Sequence, residues 1–415
     1  MKTRSAWLWV PTLYFAEGLP YFIVNTISLI LFKDLGMENG KLALLTSLIS
    51  LPWLLKPLWS PFVDILKSKR WWILSMQALM AVTVGLIAVT VPEHSPFTLT
   101  LILFTIAAFS SATHDIAADG FYMTGLDQSR QSSFVGIRNT FYRIAMVFGQ
   151  GVLVMIAGVL QRHTGNVHKA WSLTLGACAL LLCAITVYHS FAIPRVEEER
   201  PVREGKLSSG FGGAFVSFFT REGVWTLIAF LLLFRLPEAF SVKMLYPFFS
   251  DSVELGGLGM SKEPYGLAYG TLGVVALLAG GILGGLHISR KGLKHCMMPM
   301  ALSLALPCGV YLLMACVQPQ SMWMVAPCII LDQFGYGYGF TAYTVYMMRF
   351  SQGPTKASHY AICTGFMALS MLLPGAVAGY IQQWLGYTGF FIMVMICCIA
   401  TICVTLSARR RLPSA

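Results

Sequence analysis

Charged side chains are scarce in this sequence. Asp, Glu, Lys and Arg make up 11% of its 415 residues, and the mean hydropathy is +0.68. A soluble domain normally carries roughly a quarter charged residues. Apolar stretches of about 20 residues recur along the whole chain, each long enough to cross a hydrocarbon core of about 30 Å. The sequence therefore predicts an all-α membrane protein that is surrounded mostly by lipid.

Signatures of cofactor and metal chemistry are also missing. The sequence has no Gly-x-x-x-x-Gly-Lys-Ser/Thr loop, and no predicted soluble domain is large enough to hydrolyse ATP. All ten cysteines fall inside predicted spans, without zinc or haem spacing. We expect no cofactor, no metal, no disulfide framework and no enzymatic activity. Any transport must then draw on an ion or substrate gradient.

Twelve transmembrane helices are predicted from the hydrophobic stretches. They cover residues 5–32, 39–66, 71–91, 97–124, 132–161, 168–193, 222–250, 262–288, 295–316, 321–349, 355–383 and 386–408. Loops on the side of the amino terminus carry 19 Lys and Arg residues, and the opposite loops carry five. Basic loops stay cytoplasmic, so both termini are predicted to be inside the cell. The net charge of +11 is thus a topology signal, and we expect no nucleic-acid partner.

The longest loop, 194–221, divides the chain into a six-helix bundle at 1–193 and a second one at 222–415. Within the loop, Leu207, Phe211, Phe215, Phe218 and Phe219 recur at helical spacing. This pattern predicts a short amphipathic helix on the inner membrane surface. The loop is either a linker that lets two bundles rock or a passive tether.

The two halves carry similar loop motifs at matching positions. Asp64 is followed by Lys67, Lys69 and Arg70 after predicted helix 2, and Gly284-Gly285 is followed by Arg290 and further basic residues after predicted helix 8. Both segments resemble degenerate copies of the cytoplasmic loop motif of the major facilitator superfamily. The resemblance implies that superfamily's fold of two six-helix bundles, with gating or structural roles for Asp64 and Arg290.

Acidic residues lie inside predicted helices 1, 4, 7 and 10, which line the central cavity in that fold. They are Glu17, Asp115, Asp119, Glu238 and Asp332. Charges at membrane depth are costly and usually functional. We predict that proton coupling depends on Asp115, Glu17 or Asp332, in that order. His114 could relay protons, or it could simply form hydrogen bonds within the helix bundle.

Basic residues of helix 5 match two of these acids in depth. Counting 1.5 Å per residue from the helix 4–5 hairpin pairs Asp119 with Arg138 and Asp115 with Arg143. We predict a structural brace for the first pair and an ion pair bordering the cavity for the second. Such pairs either hold helix 4 to helix 5 or take part in binding substrate or protons.

Substrate-binding candidates come from helices 5, 7 and 10. Arg235 is three residues from Glu238 and either pairs with it or takes an anionic substrate group. Tyr336 and Tyr338 lie in a glycine-rich stretch of helix 10, where they could stack on a ring-bearing ligand. The further candidates are Arg143, Gln333 and Asn139.

Several segments resemble AmpG-like muropeptide permeases. They are 55–64 (LKPLWSPFVD), 111–120 (SATHDIAADG), 136–145 (GIRNTFYRIA), 332–342 (DQFGYGYGFTA) and the surroundings of 360–362. The resemblance covers most of the chain and is most specific in helix 4, where it implies importance for Asp115. It implies proton-coupled import of anhydromuramyl peptides across the bacterial inner membrane, although a related branch moves acetyl-CoA.

The sequence therefore predicts a monomeric symporter of a bulky amphipathic small molecule, most readily a muropeptide, with protons as the coupling ion. Three alternatives stay open: an exporter of hydrophobic compounds, a transporter of acyl-CoA-like anions, and a membrane sensor that transports nothing.

The topology can be checked by cysteine accessibility. Single cysteines placed between 194 and 221 are expected to react with an impermeant thiol reagent only after the cytoplasmic side has been opened. Labelling of intact cells at these positions would refute the predicted orientation.

Overall fold

The computed structural model describes residues 5–60, 63, 66–91, 97–126, 128–195, 216–351 and 356–412. Every regular element within these ranges is helical. The predicted gating residue Asp64 lies outside them, as do Leu207, Phe211 and Phe215 of the predicted linker helix.

The helices are labelled α1 to α12. They are α1 (Ala6–Asp34), α2 (Asn39–Ile49, continued by Leu51–Leu55), α3 (Lys69–Thr90), α4 (Phe97–Gly125), α5 (Gln128–Val147, continued by Phe148–Val152 and Leu153–Thr164), α6 (Val167–Ala192), α7 (Val224–Leu233 and Leu236–Ser250), α8 (Lys262–Lys291), α9 (Leu293–Val317), α10 (Met322–Phe350), α11 (356–385) and α12 (387–410). Gly386, at φ 68° and ψ 175°, interrupts the last helical stretch and separates α11 from α12.

Nine helical segments of the described chain are long and apolar enough to cross a membrane. The last of them, Ile362–Arg410, includes both α11 and α12. The other two helices occupy predicted spans, but α2 is shorter and α10 is less apolar than these nine segments. The all-helical fold is confirmed, and these bounds are compatible with the predicted twelve spans.

The chain divides into two compact units. The first comprises Met1–Met37 and Ile49–Glu204, and the second comprises Glu38–Leu48 and Gly205–Ala415. The division falls inside the predicted 194–221 loop, but the first part of α2 groups with the second unit. The sequence did not indicate that the first part of α2 belongs to the second unit, since nothing in the composition of α2 distinguishes its two parts.

In the first unit, α4 and α6 pack along α3, while α1 packs against α5. Close approach of α1 and α5 depends on glycine. A Cβ on Gly18 would lie 2.9 Å from Cβ of Ala145, and one on Gly149 would lie 2.6 Å from Cβ of Phe22. Small residues at such crossings let two backbones approach within membranes. The tight α1–α5 contact positions the acidic side chains of α1.

In the second unit, α10 packs along both α8 and α9, and α7 packs against the α11–α12 pair. Phe218 is fully buried in the core of this unit and stacks on Phe366 at a centroid distance of 6.5 Å. This burial differs from the surface position expected for Phe218 in an interfacial helix. The reason is that several aromatic rings of the unit offer it a better apolar environment.

The α8–α10 contact has no room for side chains. A Cβ on Gly337 would lie 2.0 Å from the carbonyl oxygen of Leu277, and one on Gly280 would lie 2.2 Å from that of Phe334. Gly285 is one turn beyond Gly281 on α8, and a Cβ there would meet nothing within 4 Å. The glycine clusters noted in the sequence therefore serve helix packing at some positions and not at others.

We expect Gly337→Ala to destabilise the protein by about 1–3 kcal/mol, because the added methyl group forces α8 and α10 apart. Gly285→Ala is the matched control and should be neutral or slightly stabilising, since alanine favours a helix over glycine. Thermal unfolding in detergent measures both. Equal melting temperatures for the two variants would contradict the packing argument.

Candidate functional site

Asp115 of α4 lies in a polar cluster of the first unit. Its Oδ2 accepts a hydrogen bond from Nε1 of Trp53 at 3.0 Å and lies 3.8 Å from Nζ of Lys56. Its Oδ1 is buried and has no hydrogen-bond partner among the described residues. Asp115 thus pairs with Lys56 of the α2 segment instead of with Arg143, and one of its oxygens is left over.

A 3₁₀ turn within the predicted second span positions Lys56 beside Asp115. After Leu51–Leu55 the chain tightens into a 3₁₀ turn, Lys56–Leu58, whereas the sequence predicted a continuous helix to residue 66. Lys56 is the first residue of this turn and lies beside α4. The predicted pairing with Arg143 relied on depth along the α4–α5 hairpin alone, and depth does not fix which way a side chain faces.

Asp119, one turn further along α4, forms the predicted brace with α5. Its Oδ1 lies 3.0 Å from Nη2 of Arg138 and accepts a hydrogen bond from the hydroxyl of Tyr14 at 3.1 Å. The guanidinium also lies over the rings of Tyr14 and Tyr122, at 4.4 and 5.2 Å from their centroids. These contacts confirm the Asp119–Arg138 pair and add α1 to it through Tyr14.

Glu17 of α1 is buried, with 8% of its surface exposed. Its Oε2 has no hydrogen-bond partner among the described residues. The charges acting on it are those of Asp119, Asp115, Arg138 and Lys56, so it belongs to the same cluster. A buried carboxylate without a partner is costly, so a proton or a cationic group would stabilise Glu17.

His114 faces away from this cluster. Its Nε2 lies 2.9 Å from Nε2 of Gln77 on α3, and Oε1 of the same amide lies 3.0 Å from Nδ1 of His189 on α6. His189 then contacts the hydroxyl of Thr12 on α1 at 2.9 Å. The structure therefore shows His114 in a buried hydrogen-bond network that joins four helices, which fits the simpler of its two predicted roles.

In the second unit, Arg235 occupies a break in α7. Pro237 cannot donate a backbone hydrogen bond, and the helix is interrupted between Leu233 and Leu236. Side chains of neighbouring helices compensate for this interruption: the hydroxyl of Thr401 donates to the carbonyl of Phe234 at 3.1 Å, and that of Tyr343 donates to the carbonyl of Leu231 at 2.8 Å.

The guanidinium of Arg235 forms three hydrogen bonds, through Nε and Nη2. It donates to both carboxylate oxygens of Glu238, at 2.8 and 2.9 Å, and to the hydroxyl of Tyr336 at 2.9 Å. The rings of Tyr336, Phe340 and Tyr343 surround it. Of the two predicted roles, the structure shows the local pair with Glu238.

Asp332 of α10 is buried against α9. Its Oδ2 accepts hydrogen bonds from the hydroxyl of Tyr311 at 2.7 Å and from Nε2 of Gln333 at 3.1 Å. No Lys or Arg forms an ion pair with Asp332 within the described parts of the chain. Gln333, a predicted substrate-binding residue, thus donates a hydrogen bond to Asp332 in this structure.

The remaining predicted residues have the following surroundings. Tyr338 directs its hydroxyl to Nδ1 of His287 on α8. Asn139 and Arg290 are exposed. Arg143 is partly exposed on α5.

Lys243 of α7 was missed by the sequence analysis. Its ammonium lies 3.4 Å from the hydroxyl of Thr46, which groups with the second unit. The signal was present, because Lys243 lies well inside predicted helix 7. The predicted charged residues were acids and the basic residues matched to them, and the sequence pattern assigns Lys243 to neither group.

Long apolar helices that enclose charged clusters in both units define a multi-pass membrane protein of the transporter class. A family model described as Major Facilitator Superfamily matches residues 12–358. The chain belongs to this superfamily of membrane transporters, which are generally not enzymes and act on small molecules.

Relatives of known name extend over nearly the whole chain. The anhydromuropeptide permease of Escherichia coli K12 is 22% identical over 423 residues, covering 99% of this chain and 81% of the permease. A protein of Rickettsia conorii that carries the name AmpG 4 is 26% identical over 398 residues, covering 92% and 91% of the two chains. The resemblance to AmpG-like permeases drawn from the motifs is therefore confirmed.

Solved structures support the fold. A point mutant of the nucleoside transporter NupG superimposes with a TM-score of 0.72 at 13% identity, over 97% of this chain and 99% of its own. A bacterial homolog of the human lysosomal transporter Spinster, inward-facing and unoccupied, gives a TM-score of 0.70 at 15% identity, over 100% and 99%.

We expect Asp119→Asn to lower the melting temperature, because it leaves the charge of Arg138 uncompensated. The loss should be below the about 3–5 kcal/mol of a fully buried pair, since 43% of the Asp119 side chain is exposed. Asp119→Asn combined with Arg138→Gln should recover part of the loss. A double variant no more stable than Asp119→Asn alone would show that the pair is not a brace.

Proposed function

We propose that this chain is a proton-coupled symporter that imports anhydromuramyl peptides across the bacterial inner membrane. The names of its relatives support the cargo, since one of them is an anhydromuropeptide permease that matches 99% of this chain. The proposal includes cytoplasmic termini, action as a monomer, and bundles at 1–193 and 222–415 that move relative to one another.

Proton coupling rests on the carboxyl cluster of the first unit. Glu17 and Asp115 each have a buried oxygen without a partner among the described residues, and the charge of Asp115 acts on Glu17. Carboxyls that repel one another cannot both ionise cheaply in an apolar surrounding. We propose that Glu17 and Asp115 hold the transported proton between them and that Lys56, facing Asp115, determines when it is released.

The alternatives predict different fluxes. An exporter would accumulate its solute in everted vesicles, an acyl-CoA transporter would exchange acyl-CoA instead of muropeptides, and a sensor would bind without flux. Counterflow in proteoliposomes against muropeptides, nucleotides and acyl-CoA compounds separates them. Counterflow of muropeptides alone would support the proposed cargo.

We expect Asp115→Asn to abolish accumulation driven by a pH gradient but to retain substrate exchange, because a neutral side chain can still bind but cannot release a proton. Glu17→Gln should show the same separation. Gradient-driven uptake and counterflow, measured in the same proteoliposomes, provide the two readouts.

Asp119→Asn is the matched control on the same helix face. It is expected to lower protein yield while the ratio of driven uptake to exchange stays that of the wild type. Intact driven uptake in both Asp115→Asn and Glu17→Gln would remove these residues from the coupling step. Loss of exchange as well would mean that they bind the substrate.

A further inference from the structure

A narrow strip of α1 in the first unit is partly exposed at membrane depth. Between residues 16 and 32, every residue is buried except Tyr21, Asn25 and Thr26. Asn25 lies nine residues before the end of α1 at Asp34, about 14 Å inside that end. Polar groups exposed to lipid are costly, so a lipid-facing helix exposes its apolar residues instead. This segment does the opposite, and the strip therefore faces a space that is open to water.

Two residues of the strip lie in a widened part of the helix. Ile23–Ile27 is π-helical, and so is Phe148–Val152 of α5, which packs against it. Short π-helical stretches inside α-helices frequently occur at functional sites. Here the two stretches bring Thr26 and Gln150 together. Nε2 of Gln150, which is also partly exposed, donates to the hydroxyl of Thr26 at 3.2 Å.

The Thr26–Gln150 pair has hydrogen-bonding groups left over. The hydroxyl of Thr26 donates to no acceptor among the described residues, although helix hydroxyls commonly donate to the carbonyl four residues earlier, as Ser28 does. The amide oxygen of Gln150 accepts from none of them either. If the amide is reversed, its NH₂ group and a lone pair of the Thr26 oxygen are left over instead. In both orientations the pair offers a ligand one donor and one acceptor.

An aromatic pair extends the strip towards α2. The rings of Tyr21 and Trp53 meet edge to face with their centroids 5.0 Å apart, and both side chains are partly exposed. One turn further along α1, Oδ1 of Asn25 accepts from the hydroxyl of Ser50 at 2.6 Å. Aromatic walls with a few placed polar groups are typical of sites for small molecules. The residues of this strip are uncharged, so they suit a neutral part of a ligand.

We propose that this strip binds an N-acetylated sugar ring of the transported muropeptide. A secondary amide has one carbonyl acceptor and one N–H donor, which match the donor and the acceptor offered by Thr26 and Gln150. The negative faces of Tyr21 and Trp53 attract the C–H groups of a sugar ring. Trp53 also donates to Asp115, so the sugar would lie beside the carboxyl cluster. This inference rests on the proposed cargo and assigns the recognition of its acetamido group.

The test compares the anhydromuropeptide with its 2-deoxy analogue, in which hydrogen replaces each acetamido group. Isothermal titration calorimetry measures binding of both compounds to the full chain in detergent. The proteins are the wild type, Thr26→Val combined with Gln150→Leu, Gln150→Met, Tyr21→Leu, Tyr21→Phe and Thr83→Val. Thr83 serves as the control, because its buried hydroxyl donates to carbonyls of its own helix α3.

The wild type should bind the acetamido compound at least about threefold more tightly than the analogue, as expected for one or more net hydrogen bonds. The double variant and Gln150→Met should lose this preference. Tyr21→Leu should weaken binding of both compounds about three- to tenfold, because the aromatic face is lost. Tyr21→Phe and Thr83→Val should bind both compounds as the wild type does.

The outcomes separate failure of this site from failure of the cargo. A wild type that binds neither compound would refute the muropeptide cargo and the sugar site with it. A wild type that binds both equally, or a double variant that keeps the preference, would overturn the site while the cargo stands. A pair that only links α1 to α5 affects stability and leaves the preference unchanged. If neither the double variant nor Gln150→Met folds, the pair serves helix packing and the proposal is overturned.

Discussion

A lipid bilayer offers no hydrogen-bond partner to the backbone, so every carbonyl of a membrane-spanning segment has to be satisfied within the protein. The break of α7 illustrates this constraint. Where the helix stops before Leu236, Tyr343 and Thr401 supply the hydroxyls that the freed carbonyls of Leu231 and Phe234 require. The break is possible only because α10 and α12 pass close by, and it is this break that places Arg235 among three aromatic rings.

Water is equally scarce around the charged side chains inside the membrane. Neighbouring side chains therefore have to stabilise each charge, and they do so to different degrees. Arg235 is neutralised by two oxygens of one carboxylate, whereas the described residues offer Asp332 only neutral donors, from Tyr311 and Gln333. Glu17 and Lys243 are stabilised least, because neither forms an ion pair with a described residue. Structural roles follow where the charge is balanced inside the protein, and exchange of protons or ligands becomes possible where it is not.

The sequence was sufficient to predict the helices from hydropathy, the superfamily from the resemblance of its motifs, and the Asp119–Arg138 pair from depth along a hairpin. It did not predict that Asp115 pairs with Lys56, since that depends on a 3₁₀ turn at Lys56–Leu58 within the predicted second span. Nor could it show that Asp332 faces Tyr311 or that Lys243 adjoins Thr46. The rotation of a helix about its own axis is set by packing against neighbours, at contacts as close as that of Gly337 with Leu277.

The amide of Gln77 binds one imidazole at each end, and this links the tautomers of His114 and His189. If its nitrogen donates to His114, its oxygen must accept from Nδ1–H of His189. If the amide is reversed, His114 must carry hydrogen on Nε2 and His189 must accept at Nδ1, which leaves His189 Nε2–H to donate to Thr12. Neither ring can therefore change its hydrogen position alone, and an NMR measurement of the tautomer of one ring would also determine that of the other.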